Sequence, residues 1–416
     1  MLSRAVKDIQ RVLCCRICQS ALTPFISFGA MPIANGFLNA HEIENESFYP
    51  LECAVCTSCW MMQLTHQPPP EKLFHSDYPF FTGSSQRMTS HFQILAENVT
   101  SDYLDRQQDP FILEIGSNDG TFLKHFSKKI RTLGVEPSAN VAHRARTLGI
   151  PTRQDFFSRQ LAEKILKEQG QPHVIYAANV FCHTPNLPDV FEGLKKLLHP
   201  EGVLIFEDPY LPSMFDKVSY DQIYDEHVFL FSLLSVQNLA KRHGLEVYDV
   251  QPLDTHGGSM RYFLSPGGRK QLYDDLWELT RTEKAFNLDQ IETYKKFYQT
   301  CEKSRDSLKS LLLDLKQKGK SIAGYAATSK STPVLNYAQI GTDLIDYIAD
   351  STPEKQGKVT PGTHIPIYSP EYFRTHYPDY TVLFGWNHLE EISAKEKEYL
   401  KSGGRWIVYV PKVSIL

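Results

Sequence analysis

From Pro110 onward the chain alternates short apolar runs with amphipathic ones, and this alternation constrains the fold more than any other feature. PFILEIGSNDGTFLKHF reads as a strand, a turn of small residues and a helix. RTLGVEP supplies a second strand, followed by a helix over about 140–147. HVIYAANV and GVLIFEDP give two further buried strands with the helix LPDVFEGLKKLL between them. FSLLSVQNLAKRHG reads as another helix, and LEVYDVQPL and SMRYFLSP as closing strands. Strands that alternate with helices predict a parallel sheet covered on both faces.

The pattern recurs on a smaller scale. SIAGYAATSKSTPVLNYAQI opens a second strand–turn–helix, and LIDYIAD, IPIYSP, YTVLFGW and WIVYVP continue it as strands. Between the two α/β units, a charged stretch of alternating sign reads as one or two linking helices. The expected organisation is a cysteine-rich module over 1–75, a main α/β domain over 76–272, a helical linker over 273–319 and a smaller α/β domain over 320–416.

Charge excludes some functions. Among 416 residues, 44 Lys and Arg stand against 48 Asp and Glu, so no basic excess gathers nucleic acid. No run approaches the length of a transmembrane helix. The opening MLSRAVKDIQRVLCC lacks the apolar core and cleavage site of a secretory signal, so cytoplasm is the expected compartment. The oligomeric state is left open.

Six of the eight cysteines fall between Cys14 and Cys59, a clustering that points to metal before cystine. Cys15 and Cys18 form one Cys-x2-Cys pair and Cys56 and Cys59 another; together they make a four-sulfur zinc site. Cys53-x2-Cys56 satisfies the same spacing. The zinc is expected to be structural, since a segment this short has little apolar core of its own.

The turn from Glu114 to Gly120 lies where the first strand of the main domain meets its helix. Gly116 and Gly120 permit a sharp bend and close approach to a nucleoside, with Asn118 between them. The G-x-x-x-G spacing lacks the middle glycine of a dinucleotide fingerprint, which disfavours NAD. Glu136, about twenty positions on, is placed to accept ribose hydroxyls, and Asp155 with Phe156 to meet an adenine. These residues fit S-adenosylmethionine, which carries no pyrophosphate.

With those residues in view, the region resembles a class I methyltransferase, Rossmann-like in fold. The whole chain resembles the sugar C-methyltransferases that act at C3 of nucleotide-linked 4-keto-6-deoxy sugars. The resemblance rests on the paired Cys-x2-Cys followed by MMQL, then LEIGSNDGTFL, NVFCH, YDQIYDEHVFLFS, THGGSMR and GYAATSKSTPVLNY. The last motif departs from the family's GYGAPAKG form at Ala326, Thr328 and Ser329. The resemblance implies an N-terminal zinc module, a central S-adenosylmethionine domain and a C-terminal α/β domain that helps hold a nucleotide sugar.

Ligands of open α/β sheets sit beyond the carboxyl ends of the strands. Asn179 to His183 and Tyr220 to His227 therefore face the same crevice as Gly116 and Glu136. Methylating carbon beside a ketone needs a base for the C–H proton and a donor for the enolate oxygen. His227 is the expected base, Tyr224 the donor, and Glu226 a group that orients an imidazole or holds a sugar hydroxyl. Tyr78, on the aromatic connector PPPEKLFHSDYPFFTG, and His183 are implied by the family pattern. His256, Ser259 and Arg261 are read as an anion- and hydroxyl-binding turn. Tyr325, Lys330 and Asn336 are read as the nucleotide grip. Lys355 and Arg405 read as solvated surface. A methyltransferase acting on oxygen or nitrogen is the alternative, and a non-enzymatic scaffold is a weaker one.

Overall fold

The computed structural model describes residues 9–69, 73, 81–268 and 270–416. Tyr78 and most of its connector lie outside them. Three sheets order the chain. In the first, strands β1 (Leu22–Pro32), β2 (Phe48–Cys56) and β3 (Met62–Leu64) form an antiparallel meander.

The central sheet begins with β4 (Phe111–Ile115), β5 (Arg131–Val135), β6 (Thr152–Arg153), β7 (Val174–Ala178) and β8 (Val203–Pro209), all parallel. Every residue of β4 and β8 is buried, as expected for strands sandwiched between helices. The helix Leu187–Leu197 shows how the covering is encoded. Leu187, Val190, Phe191, Leu194 and Leu197 repeat at helical spacing and are buried, with Pro188 in the first turn. The two-residue strand β9 (Phe229–Leu230) leaves the central domain and pairs with β3, so the first sheet runs β1-β2-β3-β9.

Strands β10 (Leu245–Leu253) and β11 (Ser259–Pro266) close the central sheet in the order β10-β11-β8-β7-β4-β5-β6, with β11 antiparallel to both neighbours. The strand order reverses between β4 and β7. A crevice opens there by the topology of the sheet alone.

Two helices, Asp274–Phe286 and Ile291–Gln317, lead to the third sheet. It comprises β12 (Ile322–Tyr325), β13 (Ile348–Ala349), β14 (Ile367–Tyr368), β15 (Tyr380–Leu383), β16 (Arg405–Val408) and β17 (Ser414–Ile415). Its order is β14-β13-β12-β15-β16-β17, parallel except for β17, with its own reversal between β12 and β15. One apolar core runs from β1 through the long linker helix into this sheet, including Phe25, Tyr294, Leu308 and Ile322. The cysteine-rich module and the C-terminal domain are therefore packed together rather than strung apart. Among the described residues, no helix is long and apolar enough to cross a membrane.

Candidate active site

The four expected metal ligands converge. Cys15 and Cys59 place their sulfurs 3.6 Å apart and Cys18 and Cys56 theirs 3.4 Å apart. A zinc–sulfur bond of about 2.3 Å puts tetrahedral sulfurs about 3.8 Å from one another, so the donor set fits zinc. The Ile17 N–H donates to Cys15 Sγ and the Ser58 N–H to Cys56 Sγ, each at 3.4 Å, as knuckles bearing thiolate charge require. The module is a zinc-binding one. Cys53 stands apart in the apolar core of β2, where burial pushes its thiol up and disfavours the thiolate.

A cleft of about 1610 Å³ opens at the reversal point of the central sheet and extends to the C-terminal domain. Glu114, Gly116, Asn118, Glu136, Asp155, Phe156 and Asn179 all line it. Gly116 has φ 68°, and a Cβ there would lie 2.3 Å from Val180 Cγ2, so no side chain is accommodated. Gly120 is not on the wall. A Cβ on it would meet Ile150 at 2.9 Å and Ala145 at 3.4 Å, so it serves the packing of the turn against the end of the helix Ala139–Thr147 and the residues just after it. Glu136 accepts from the Asn118 N–H (3.0 Å) and the Ser138 N–H (2.8 Å), which fixes its carboxylate at the cleft edge. Each oxygen keeps a second lone pair for a ribose hydroxyl. Glu114 is buried with Oε2 lacking a partner among the described residues, and burial pushes its carboxyl up. This orphaned oxygen, the glycine turn and the fixed acid together fit S-adenosylmethionine. The half-exposed Phe156 supplies the flat apolar surface an adenine needs.

Tyr224, Glu226 and His227 reach the cleft from the segment between the short turn Tyr220–Gln222 and β9. His227 Nδ1 lies 2.7 Å from the Gln222 carbonyl, which only accepts, so Nδ1 carries the proton. Nε2 is then the lone-pair nitrogen, and the Tyr224 hydroxyl donates to it at 2.9 Å. Burial, followed by the neighbouring His183, holds the His227 imidazole well below its ordinary range, so it is neutral near pH 7. The His183 ring stacks on it at 5.2 Å, and burial pushes His183 down to about 4. Burial and the adjacent Asp225 push Glu226 up to about 8. Near neutrality the segment thus offers a neutral base beside a protonated acid.

The expected substrate residues divide. His256, Tyr325 and Lys330 line the cleft; Ser259, Arg261 and Asn336 do not. Arg261 is spent in a buried ion pair, donating through Nε to Glu207 at 2.7 Å, while His91 holds the other Glu207 oxygen at 2.9 Å. The Ser259 hydroxyl donates to the Thr255 carbonyl (3.1 Å). The Asn336 amide donates to the Thr332 and Pro361 carbonyls, binding a helix to a loop inside the C-terminal domain. These three therefore support the walls. His256 accepts from Asn179 Nδ2 at 3.2 Å, and burial holds it down to about 3. The Tyr325 hydroxyl donates to Glu396 (2.8 Å).

Two residues were missed by spacing and motif. Lys355 belongs to the cleft wall rather than the solvated surface. Asp221, wholly buried in the segment that bears Tyr224 and His227, accepts from Trp386 Nε1 (2.7 Å) and the Tyr409 hydroxyl (2.8 Å), both of the C-terminal domain. The reach across 165 and 188 positions leaves no local trace.

Three family models match successive stretches of the chain. A family model described as a putative zinc binding domain matches residues 15–74, one described as a methyltransferase domain matches 90–250, and one described as a C-methyltransferase C-terminal domain matches 254–411. The C-methyltransferase NovU of Streptomyces niveus is 32% identical over 406 residues, covering 97% of this chain and 96% of its own. A solved S-adenosylmethionine-dependent methyltransferase from Clostridium acetobutylicum is 13% identical with a TM-score of 0.34, over 45% of this chain and 94% of its own. DesVI of Streptomyces venezuelae is 17% identical with a TM-score of 0.32, over 42% of this chain and 92% of its own.

Proposed function

The chain belongs to the C-methyltransferase family, and from that premise we propose that it methylates C3 of a nucleotide-linked 4-keto-6-deoxy sugar through an enolate formed by His227. The observation that carries the proposal is the fixed tautomer of His227, whose protonated Nδ1 faces the Gln222 carbonyl and leaves Nε2 as the base. S-adenosylmethionine, when bound, supplies an electrophilic methyl group.

Carbon must first be made nucleophilic. His227 Nε2 takes the C3 proton, and the C–H electron pair passes into the enolate. A neutral imidazole excluded from water is suited to this step, because water neither competes for the proton nor solvates the lone pair. The Tyr224 hydroxyl, which donates to that nitrogen at 2.9 Å, turns to the C4 oxygen when the acceptor takes its place, which frees the lone pair and gives the growing enolate charge a donor. The imidazolium then keeps its Nδ1 bond to Gln222, so the ring does not turn as it gains charge. Glu226, protonated near neutrality, presents a hydrogen-bond donor and acceptor to the sugar without adding negative charge beside the enolate.

Solvent deuterium exchange at C3, followed by NMR across a panel of nucleotide-linked 4-keto sugars without the methyl donor, tests the base. Wild-type protein is expected to exchange C3, and His227→Ala to do so at least about 100-fold more slowly. Exchange at the full rate in the variant removes His227 from the role. A labelled methyl found on oxygen or nitrogen rejects carbon as the acceptor.

A further inference from the structure

Five cationic side chains of the C-terminal domain and its surroundings illustrate an asymmetry in the cleft. Arg374 is held by Glu396 at 2.8 Å and Lys395 by Glu391 at 2.7 Å, while Lys217 donates to the Gly257 carbonyl beside the cleft. Lys330 and Lys355, both on the cleft wall, are different. Each donates one N–H to a backbone carbonyl, Lys330 to His256 O at 2.9 Å and Lys355 to Ala327 O at 2.8 Å. Each ammonium also stands over an aromatic ring, Lys330 over Trp386 at 5.2 Å and Lys355 over Phe37 at 4.8 Å. Among the described residues, neither has a carboxylate within ion-pair distance.

Both side chains are half-buried, so they are partly stripped of water yet remain open to the cleft. An ammonium carries three donors, and the backbone carbonyl takes only one. The carboxylates that bear on them at longer range are Asp350, Glu354 and Glu226 for Lys355, and Asp221 for Lys330. Leaving two cations partly dehydrated without contact anions costs free energy that a doubly charged ligand would recover. The two are also coupled in space. Lys330 lies in the loop between β12 and the helix Ser331–Tyr337, and Lys355 is tied to Ala327 of that same loop. Lys355 stands where all three sheets' domains meet, against Phe37, Ala327 and the field of Glu226.

We propose that Lys355 acts with Lys330 as a two-point clamp for the diphosphate of the acceptor, and so sets where the sugar ring lies relative to His227. This rests on the reading of the acceptor as nucleotide-linked. Lys355 is then a binding residue, not merely a cation that moderates the ionisation of Glu226. A moderating role would alter the pH dependence of the reaction but leave affinity for a nucleoside diphosphate alone.

The test is calorimetric titration of the full-length, zinc-loaded protein with TDP, UDP, GDP and CDP in the presence of S-adenosylhomocysteine. Wild type is expected to bind at least one of the four. Lys355→Met is expected to weaken that binding at least about tenfold, and Lys355→Arg to stay within about threefold of wild type. Lys355→Gln keeps an N–H for the Ala327 carbonyl and removes the charge, so it gives the same answer should the Met variant fold poorly. Unchanged affinity in a variant that retains zinc and S-adenosylhomocysteine binding rejects the clamp while leaving the nucleotide-linked acceptor standing. If wild type binds none of the four, the nucleotide-linked acceptor fails and the clamp fails with it.

Discussion

Gln222 does its work for the site through its carbonyl. By accepting from His227 Nδ1 at 2.7 Å it decides which nitrogen keeps a lone pair, a choice that no property of the histidine itself makes. The sign of the pH dependence follows. Burial disfavours the imidazolium, so the folded His227 gains a proton only at a pH well below its ordinary value of 6.5. As pH falls from 7 to 6 the imidazole stays neutral and Glu226, raised to about 8, stays protonated, so C3 exchange should hold nearly constant over that range. The acid limb of the exchange profile is expected below about pH 6. A limb centred at about 6.5 would mean that the base titrates as an exposed imidazole. Residue identity and local spacing singled out Tyr224, Glu226 and His227, because all three fall on one short segment at a strand's carboxyl end. They gave Arg261 the wrong task. Its partner Glu207 is 54 positions away, and only pairing of β11 with β8 brings them together.

The metal knuckles and the catalytic segment are joined by a strand of three residues. Gln63 of β3 donates through Nε2 to Cys15 Sγ at 3.2 Å and accepts the Arg16 N–H at 3.0 Å. The same residue pairs with Phe229 of β9, two positions after His227. Zinc is therefore structural, yet its removal should reach the base. Since the metal supplies much of the folding energy of so small a module, chelation is expected to loosen β3 and, through it, β9. The cofactor turn sits on β4, in another sheet. Chelated protein should bind S-adenosylmethionine within about threefold of the zinc form while C3 exchange falls about tenfold or more. Equal loss of both would place the zinc's influence on the whole fold, and full exchange without zinc would sever the link. The two Cys-x2-Cys pairs were legible because a knuckle is a local object. The competing pair beginning at Cys53 was decided only by strand direction, which turns that thiol into the core of β2.

At the scale of the molecule, the C-terminal domain helps to hold the segment that bears Tyr224 and His227. Asp221 binds Trp386 and Tyr409 across the domain boundary, and the Asp225 carboxylate accepts from the Ala34 N–H at 3.2 Å. Thr332 in turn donates to the Ala34 carbonyl (2.8 Å), and Glu46 accepts from the Gly362 N–H (2.7 Å). The segment bearing Tyr224 and His227 is thus anchored from both flanking domains. Removing Asp221 leaves the buried Tyr409 hydroxyl without its acceptor, at a cost of about 1–3 kcal/mol, and frees the half-buried Trp386 indole N–H. Asp221→Ala should lower kcat about tenfold or more and reduce Tm, with S-adenosylmethionine affinity near wild type; kcat at the wild-type value would remove Asp221 from the positioning of the base. A rise in KM alone would place its effect on acceptor binding.

The sequence by itself determined the elements and the local sites: the alternating strands and helices, the glycine turn with its acid at Glu136, the sulfur pairs, and the short segment that ends in His227. Each is written within a few residues, where the geometry of a strand, a turn or a helix fixes what can meet. Tertiary structure alone decided how polar groups are spent. It occupied Arg261 and Asn336 with internal partners, turned Lys355 from surface into cleft wall, and made Asp221 a tie between domains. The physical reason is that desolvation and hydrogen-bond satisfaction depend on what packs against a group from far along the chain, and no local spacing records that.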